Sequence, residues 1–100
     1  MSYNKLTLKT NAAIEIGNVI SYYASKNIIL AKKIEKEIRL GFKMITKNPD
    51  NFQCRYANVR IFWLGKFPYG LYYIWENNEI NILAFWHSKE DLPNKISKIL

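Results

Sequence analysis

An α+β fold follows from three features of the sequence. Three consecutive β-branched and aromatic runs lie between Val59 and His87, separated by Gly65-Lys66-Phe67-Pro68 and by Asn77-Asn78. Two amphipathic stretches with helical spacing precede them, joined only by Ser25-Lys26-Asn27. A short alternating segment opens the chain. The order strand, helix, helix, three strands predicts an antiparallel helical hairpin on one face of a largely antiparallel sheet.

Tyr3 to Lys9 sets Leu6 and Leu8 against Lys5, Thr7 and Lys9, the period-two pattern of a strand with one buried face. Thr10 or Asn11 suits a helix N-cap, since a side-chain oxygen can accept from an orphan backbone N–H. Ala13, Ile16, Ile20 and Tyr23 then recur at helical spacing, widened by Ala12 and Val19. Asn27 is a second cap. Ala31, Ile34, Ile38, Phe42 and Ile45 form the apolar face of the next helix, which should end near Lys47 or Asn48 because Pro49 disfavours helical geometry before it. Lys32, Lys36, Arg39, Lys43 and Lys47 line a second stripe of that helix, read mainly as a solvated face supported by Glu35–Arg39 and Lys33–Glu37 pairs. Asn48 to Asn58 reads as a surface loop.

The hairpin register follows from the turn. Centring a two-residue turn on Asn77-Asn78 sets Glu76 opposite Glu79, and opposite residues share a face. Tyr69, Leu71, Tyr73, Trp75, Ile80, Ile82, Ala84 and Trp86 then form the face expected under the helices, which assigns Tyr73, Trp75 and Trp86 to packing. Gly70, Tyr72, Ile74, Asn81, Leu83, Phe85 and His87 form the more open face. In the preceding strand, an unpaired buried guanidinium is too costly. Arg60 is therefore expected on the open face opposite Tyr72, with Val59, Ile61 and Trp63 inward. Asn94 to Leu100 suggests a short C-terminal helix with Ile96, Ile99 and Leu100 inward.

One hundred residues suit one domain, 1–100, and 49% hydrophobic content argues against disorder. The net charge of +7 points to an anionic partner. No apolar run approaches the roughly 20 residues of a membrane span, and no signal peptide is seen, so a cytoplasmic protein without a membrane partner is expected. Cys54 alone excludes an internal disulfide and a cysteine-rich zinc site, and no metal or cofactor is expected.

The order of elements, Asn48-Pro49, Asn58-Val59-Arg60, the Phe67-Pro68-Tyr69-Gly70-Leu71-Tyr72-Tyr73 segment, and Ile82-Leu83-Ala84-Phe85-Trp86-His87 followed by Asp91 resemble the RelE/ParE superfamily of toxins. The resemblance covers nearly the whole chain. It implies a growth-inhibiting toxin of a bacterial type II toxin–antitoxin system, of the kind linked to plasmid stabilisation, with a cognate acidic antitoxin as partner. The RelE branch cuts mRNA on the ribosome without a metal, as an mRNA interferase. The ParE branch poisons DNA gyrase.

For the nuclease branch, the resemblance matches Arg60 to a basic position on the second strand and Lys89 to one just after the last. Such cleavage needs a base for the ribose 2′-OH, cations for the phosphorane and an acid for the leaving oxygen. Gly70 departs from the pattern, since many relatives carry an arginine there, and no tyrosine follows Tyr73. His87 is the natural substitute, because imidazole exchanges protons near neutrality. His87, Lys89 and Arg60 are the candidate catalytic set, and Lys66, Tyr72 and Phe85 the candidate binding residues. The alternatives are a non-enzymatic gyrase poison and a small basic RNA-binding domain without toxicity.

Overall fold

The computed structural model describes residues 4–90 and 92–99. Strand β1 (Lys5–Leu8) leads into α1 (Thr10–Lys26) and α2 (Ile28–Lys47). A 3-10 turn at Pro49–Asn51 follows, then β2 (Cys54–Tyr56), β3 (Val59–Trp63), β4 (Tyr69–Glu76), β5 (Glu79–His87) and α3 (Leu92–Ile99). The five strands form one sheet in the order β1-β5-β4-β3-β2, with β1 parallel to β5 and every other pair antiparallel. The expected strand at Tyr3 and the inward side chains of Ile99 and Leu100 lie outside the described residues, as does Asp91.

The helices form where the apolar stripes lie. Ala31, Ile34, Ile38, Gly41 and Ile45 are the buried face of α2, while Phe42 packs half-buried at its margin. Asn27 caps α2 as expected, its Oδ1 accepting from the backbone N–H of Ile29 at 2.9 Å. The first helix differs: Lys9 occupies the cap position without a side-chain bond, and Thr10 is already helical. On α1 it is Ala12, not Ala13, that is buried. Gly41 lets α2 approach the sheet, since a Cβ there would lie 2.9 Å from both Leu71 and Phe62.

The Asn77-Asn78 turn has the geometry its sequence predicts. Both residues have positive φ, 51° and 63°, and Glu76 pairs with Glu79. The expected register holds through Tyr73–Ile82 and then shifts by one, because a β-bulge leaves Tyr72 opposite Ala84 with Leu83 as the extra residue. Beyond the bulge Leu71 pairs with Phe85, Gly70 with Trp86 and Tyr69 with His87. Phe85 and His87 therefore share the helix side with Leu71 and Tyr69, while Ala84 and Trp86 lie on the opposite side, the reverse of the expectation. Nothing in Leu83-Ala84-Phe85-Trp86 alternates in polarity, so no side chain marks where the register slips.

β3 is likewise turned over. Leu64 N–H bonds to the Tyr69 carbonyl at 3.0 Å, so an even four residues, Gly65 to Pro68, connect Leu64 to Tyr69, whereas Arg60 opposite Tyr72 would need an odd number. Arg60 pairs with Tyr73 and faces the helix side; Val59, Ile61 and Trp63 face away. The premise that an unpaired guanidinium is too costly stands, but this one is paired. Its Nη1 donates to the Phe52 carbonyl at 2.6 Å and the Asp50 carbonyl at 3.4 Å, and it lies 5.9 Å from the Trp75 ring.

Two apolar cores result. The first lies between helices and sheet and contains Ile34, Ile38, Ile45, Leu71, Tyr73, Ile80, Ile82 and Phe85. The second lies on the far face and contains Val59, Ile61, Tyr72, Leu83, Ala84 and Trp86, with Ile96 of α3 buried among them. The face expected to be open is thus covered by the C-terminal helix.

Candidate functional site

The sequence-derived candidates divide into three groups. Tyr72 and Phe85 are fully or almost fully buried, at 0% and 2% exposure, and lie on opposite faces of the sheet. Neither offers a stacking surface. Arg60 is held at the β2–β3 end by the loop carbonyls of Phe52 and Asp50. His87 and Lys89 lie at the end of β5, with Lys89 exposed. The Arg60 row meets β4 at Tyr73 and the His87 row meets it at Tyr69. Four residues of strand are about 13 Å, too far for both groups to hold one phosphate.

Around His87 a recess of about 300 Å³ is lined by Glu15, Asn18, Tyr69, Glu90 and Lys95, among others. The His87 ring meets Tyr69 edge-on, with centroids 5.2 Å apart at 81°. Its Nδ1 accepts the backbone N–H of Lys89 at 3.0 Å. In the neutral ring that bond occupies Nδ1 and puts the proton on Nε2, which is then a donor. Tyr69 is no substitute base: burial, and then the neighbouring Tyr23, push its phenol above the usual value.

Two carboxylates share the recess. Glu15 bridges from α1 to the free edge of β5, accepting the Phe85 backbone N–H at 3.0 Å and the Trp86 indole N–H at 2.8 Å. Glu90 pairs with Lys95 at 3.1 Å, and Lys95 lies over the Trp86 ring at 5.2 Å. A phosphate entering here would meet both acids. Glu15 was not singled out by sequence, and the only hint is a charged residue set between Ile14 and Ile16 beside the apolar stripe.

Gly70 has a structural cause that its sequence context hides. The Trp63 indole lies across it: a Cβ at Gly70 would come within 2.8 Å of the Trp63 ring and 2.9 Å of Ile61. The place where the resemblance to the RelE/ParE superfamily implies an arginine is filled by tryptophan. Trp63 is also edge-on to Tyr72 at 6.0 Å, yet remains 39% exposed.

Lys66 belongs to a different surface. With Lys33, Lys36, Leu40, Phe62 and Trp63 it lines a groove of about 620 Å³ between α2 and the β3–β4 loop. Glu37 closes one wall; its carboxylate accepts the backbone N–H groups of Gly65 at 2.8 Å and Lys66 at 3.2 Å, fixing the loop instead of pairing with Lys33. Glu35–Arg39 forms as expected, at 3.4 Å between exposed groups.

Among the described residues no three His, Cys, Asp or Glu side chains converge on a metal-sized site, and no helix is long and apolar enough to cross a membrane. No protein-family model and no curated protein matches the chain. A solved structure does: a chain of the chromosomal ParDE TA system from P. aeruginosa superposes with a TM-score of 0.72 at 20% identity, over 85% of this chain and 96% of that one. At that identity the likeness is one of architecture: this chain shares the fold of that ParDE-system chain.

Proposed function

We propose that residues 1–100 form the growth-inhibiting toxin of a bacterial type II toxin–antitoxin pair, acting in the cytoplasm by occupying a protein target, DNA gyrase. The observation that carries this reading is the dispersal of the acid–base groups. Arg60 is bound to loop carbonyls about 13 Å along the sheet from His87. His87 Nδ1 is occupied by the Lys89 backbone N–H, and burial raises the pKa of the adjacent Tyr69 phenol. Metal-free RNA cleavage needs a base, a cation and an acid around one phosphate. A poison that docks on a protein needs no such convergence. The fold it shares with a chain of a ParDE system supports the toxin–antitoxin part of this reading.

The antitoxin would be an acidic protein drawn to the +7 chain. The nuclease reading retains one supporting feature, the solvent-facing pairing of His87 and Lys89 at the end of β5. Induction of the chain in bacterial cells separates the two. The poison reading expects growth arrest with loss of plasmid supercoiling while ribosome-bound mRNA stays intact. Cut mRNA with normal supercoiling would replace it with the nuclease reading, and unimpaired growth would remove both.

A further inference from the structure

Nine large hydrophobic side chains are exposed among the described residues, and four of them crowd one place, the corner where α1 meets α2. Tyr22 and Ile28 are each 57% exposed and Ile29 is 60% exposed, with Leu30 beside them. Only Asn27 separates the two helices, and every residue from Ala24 to Leu30 is exposed, so the corner projects from the fold. It is not a loose loop. Asn27 caps α2, and Tyr23, on the inner side, packs edge-on against Phe67 at 5.4 Å. Helical side chains lean toward the N-terminus of their helix, which tips Ile28, Ile29 and Leu30 toward the corner.

The charge around this apolar apex has one sign. Lys26, Lys32 and Lys33 are exposed, and no Asp or Glu lies between Glu15 and Glu35. The first two acids of α2 are engaged elsewhere: Glu35 with Arg39, and Glu37 with the backbone N–H groups of Gly65 and Lys66. Lys26 holds its ammonium 5.7 Å from the Tyr22 ring, so an aromatic face and a cation stand together at the margin. The positive end of the α2 dipole adds to the same field.

Aliphatic side chains at an apex, a tyrosine at its margin and a collar of lysines match the layers of a bilayer surface. The aliphatic groups suit the acyl boundary, the tyrosine the headgroup level, and the long lysine stems reach back to the phosphates. A second copy of the chain is a poorer occupant, because the two lysine collars would repel. An acidic protein would need a hollow shaped to a projecting corner, whereas a bilayer closes around it.

We infer that the α1–α2 corner is a peripheral membrane-contact site. It places Ile28, Ile29 and Leu30 below the headgroups of an anionic phospholipid leaflet, with Lys26, Lys32 and Lys33 on the lipid phosphates. Among the described residues no helix is long and apolar enough to cross a membrane, which excludes a span and leaves a surface contact open. The inference does not depend on the toxin reading.

The test is cosedimentation of the full chain with phosphatidylcholine vesicles containing about 30% phosphatidylglycerol, against phosphatidylcholine alone. The anionic vesicles should bind at least about tenfold more tightly, and added salt should weaken the binding. Lys26→Gln/Lys32→Gln/Lys33→Gln should lower partitioning about 100-fold, at about fivefold per lysine. Lys5→Gln/Lys43→Gln/Lys47→Gln removes the same charge at the other end of α2 and should stay within about threefold of the parent. Ile28→Ser/Ile29→Ser keeps the net charge of +7 and should weaken binding at least about tenfold, with loss of the pressure rise the parent gives in a lipid monolayer. All these side chains are exposed, so each variant should keep the parent's thermal midpoint. Failure of the parent to bind anionic vesicles, equal losses from the two lysine triplets, or parent-like binding by Ile28→Ser/Ile29→Ser would overturn the assignment. Retention on immobilised polyglutamate without any vesicle binding would give the corner to an acidic protein instead.

Discussion

Tyr72 and Tyr73 are neighbours in sequence, equally buried, and opposite in their hydrogen bonding. The Tyr73 hydroxyl donates to the Pro49 carbonyl at 2.7 Å, tying β4 to the turn after α2. The Tyr72 hydroxyl is buried on the other face without a partner. A made buried bond is worth about 1 kcal/mol, and an orphaned polar group costs about 1–3 kcal/mol. Tyr73→Phe should therefore lower stability by about 1–2 kcal/mol, while Tyr72→Phe should leave it unchanged or raise it by up to about 1 kcal/mol, read from urea midpoints. The opposite order would place the two side chains on the wrong faces. Tyr73→Ala, which also empties a core site, should cost about 3–5 kcal/mol.

Both phenols are pushed well above their ordinary range, by burial first. The native state thus holds these protons more tightly than the unfolded chain, where tyrosine titrates near pH 10. Their contribution is fully present below about pH 10 and is lost as pH rises from there toward the native values. The urea midpoint should fall above that pH, and the fall should be shallower in Tyr72→Phe/Tyr73→Phe. Identical alkaline limbs in variant and parent would assign the loss to other groups.

At the scale of elements, the helices were legible because each has one apolar and one charged side, so period alone assigns the buried face. The far half of the β4–β5 hairpin was not, because both faces of the sheet are buried there. The first half, from Glu76–Glu79 to Tyr73–Ile82, was readable from the Asn-Asn turn. Past the Leu83 bulge, parity changed and carried Phe85 and His87 to the helix side. Arg60 misled for a related reason: its partners are backbone carbonyls of Asp50 and Phe52, groups that every residue has and no sequence pattern marks. β2 escaped notice as three residues at the sheet edge, inside a stretch rich in turn formers. The fold class survived these slips since it depends on the order of elements; the expected faces of Arg60, Phe85 and His87 did not, since each depends on the register.

The Trp63–Gly70 contact gives an element-level test. Gly70→Arg has no room while the indole lies 2.8 Å from the new Cβ. It should cost about 1–3 kcal/mol, the scale of an overpacked site. In a Trp63→Ala background the same change should cost clearly less, because the obstructing ring is gone. Equal costs in both backgrounds would mean that something other than Trp63 excludes a side chain there.

For the whole molecule, the arrangement is a sheet closed on both faces, with its cationic charge spread around the outside instead of gathered at one reactive point. His87 and Lys89 lie at one end, Arg60 at the other, and the Lys33–Lys36–Lys66 rim on a third side. That layout suits a protein whose work is docking. If so, His87 and Lys89 are dispensable: His87→Ala/Lys89→Ala should arrest growth as the parent does, within about twofold, whereas loss of a true acid or base lowers rate by about 10²–10⁴-fold. The most direct measurement is supercoiling of relaxed plasmid by purified DNA gyrase, with the parent chain and with the double variant. Both should inhibit gyrase equally, and neither should cut mRNA on purified ribosomes. Unimpaired supercoiling together with mRNA cleavage that disappears in His87→Ala/Lys89→Ala would show instead that the end of β5 is a nuclease site.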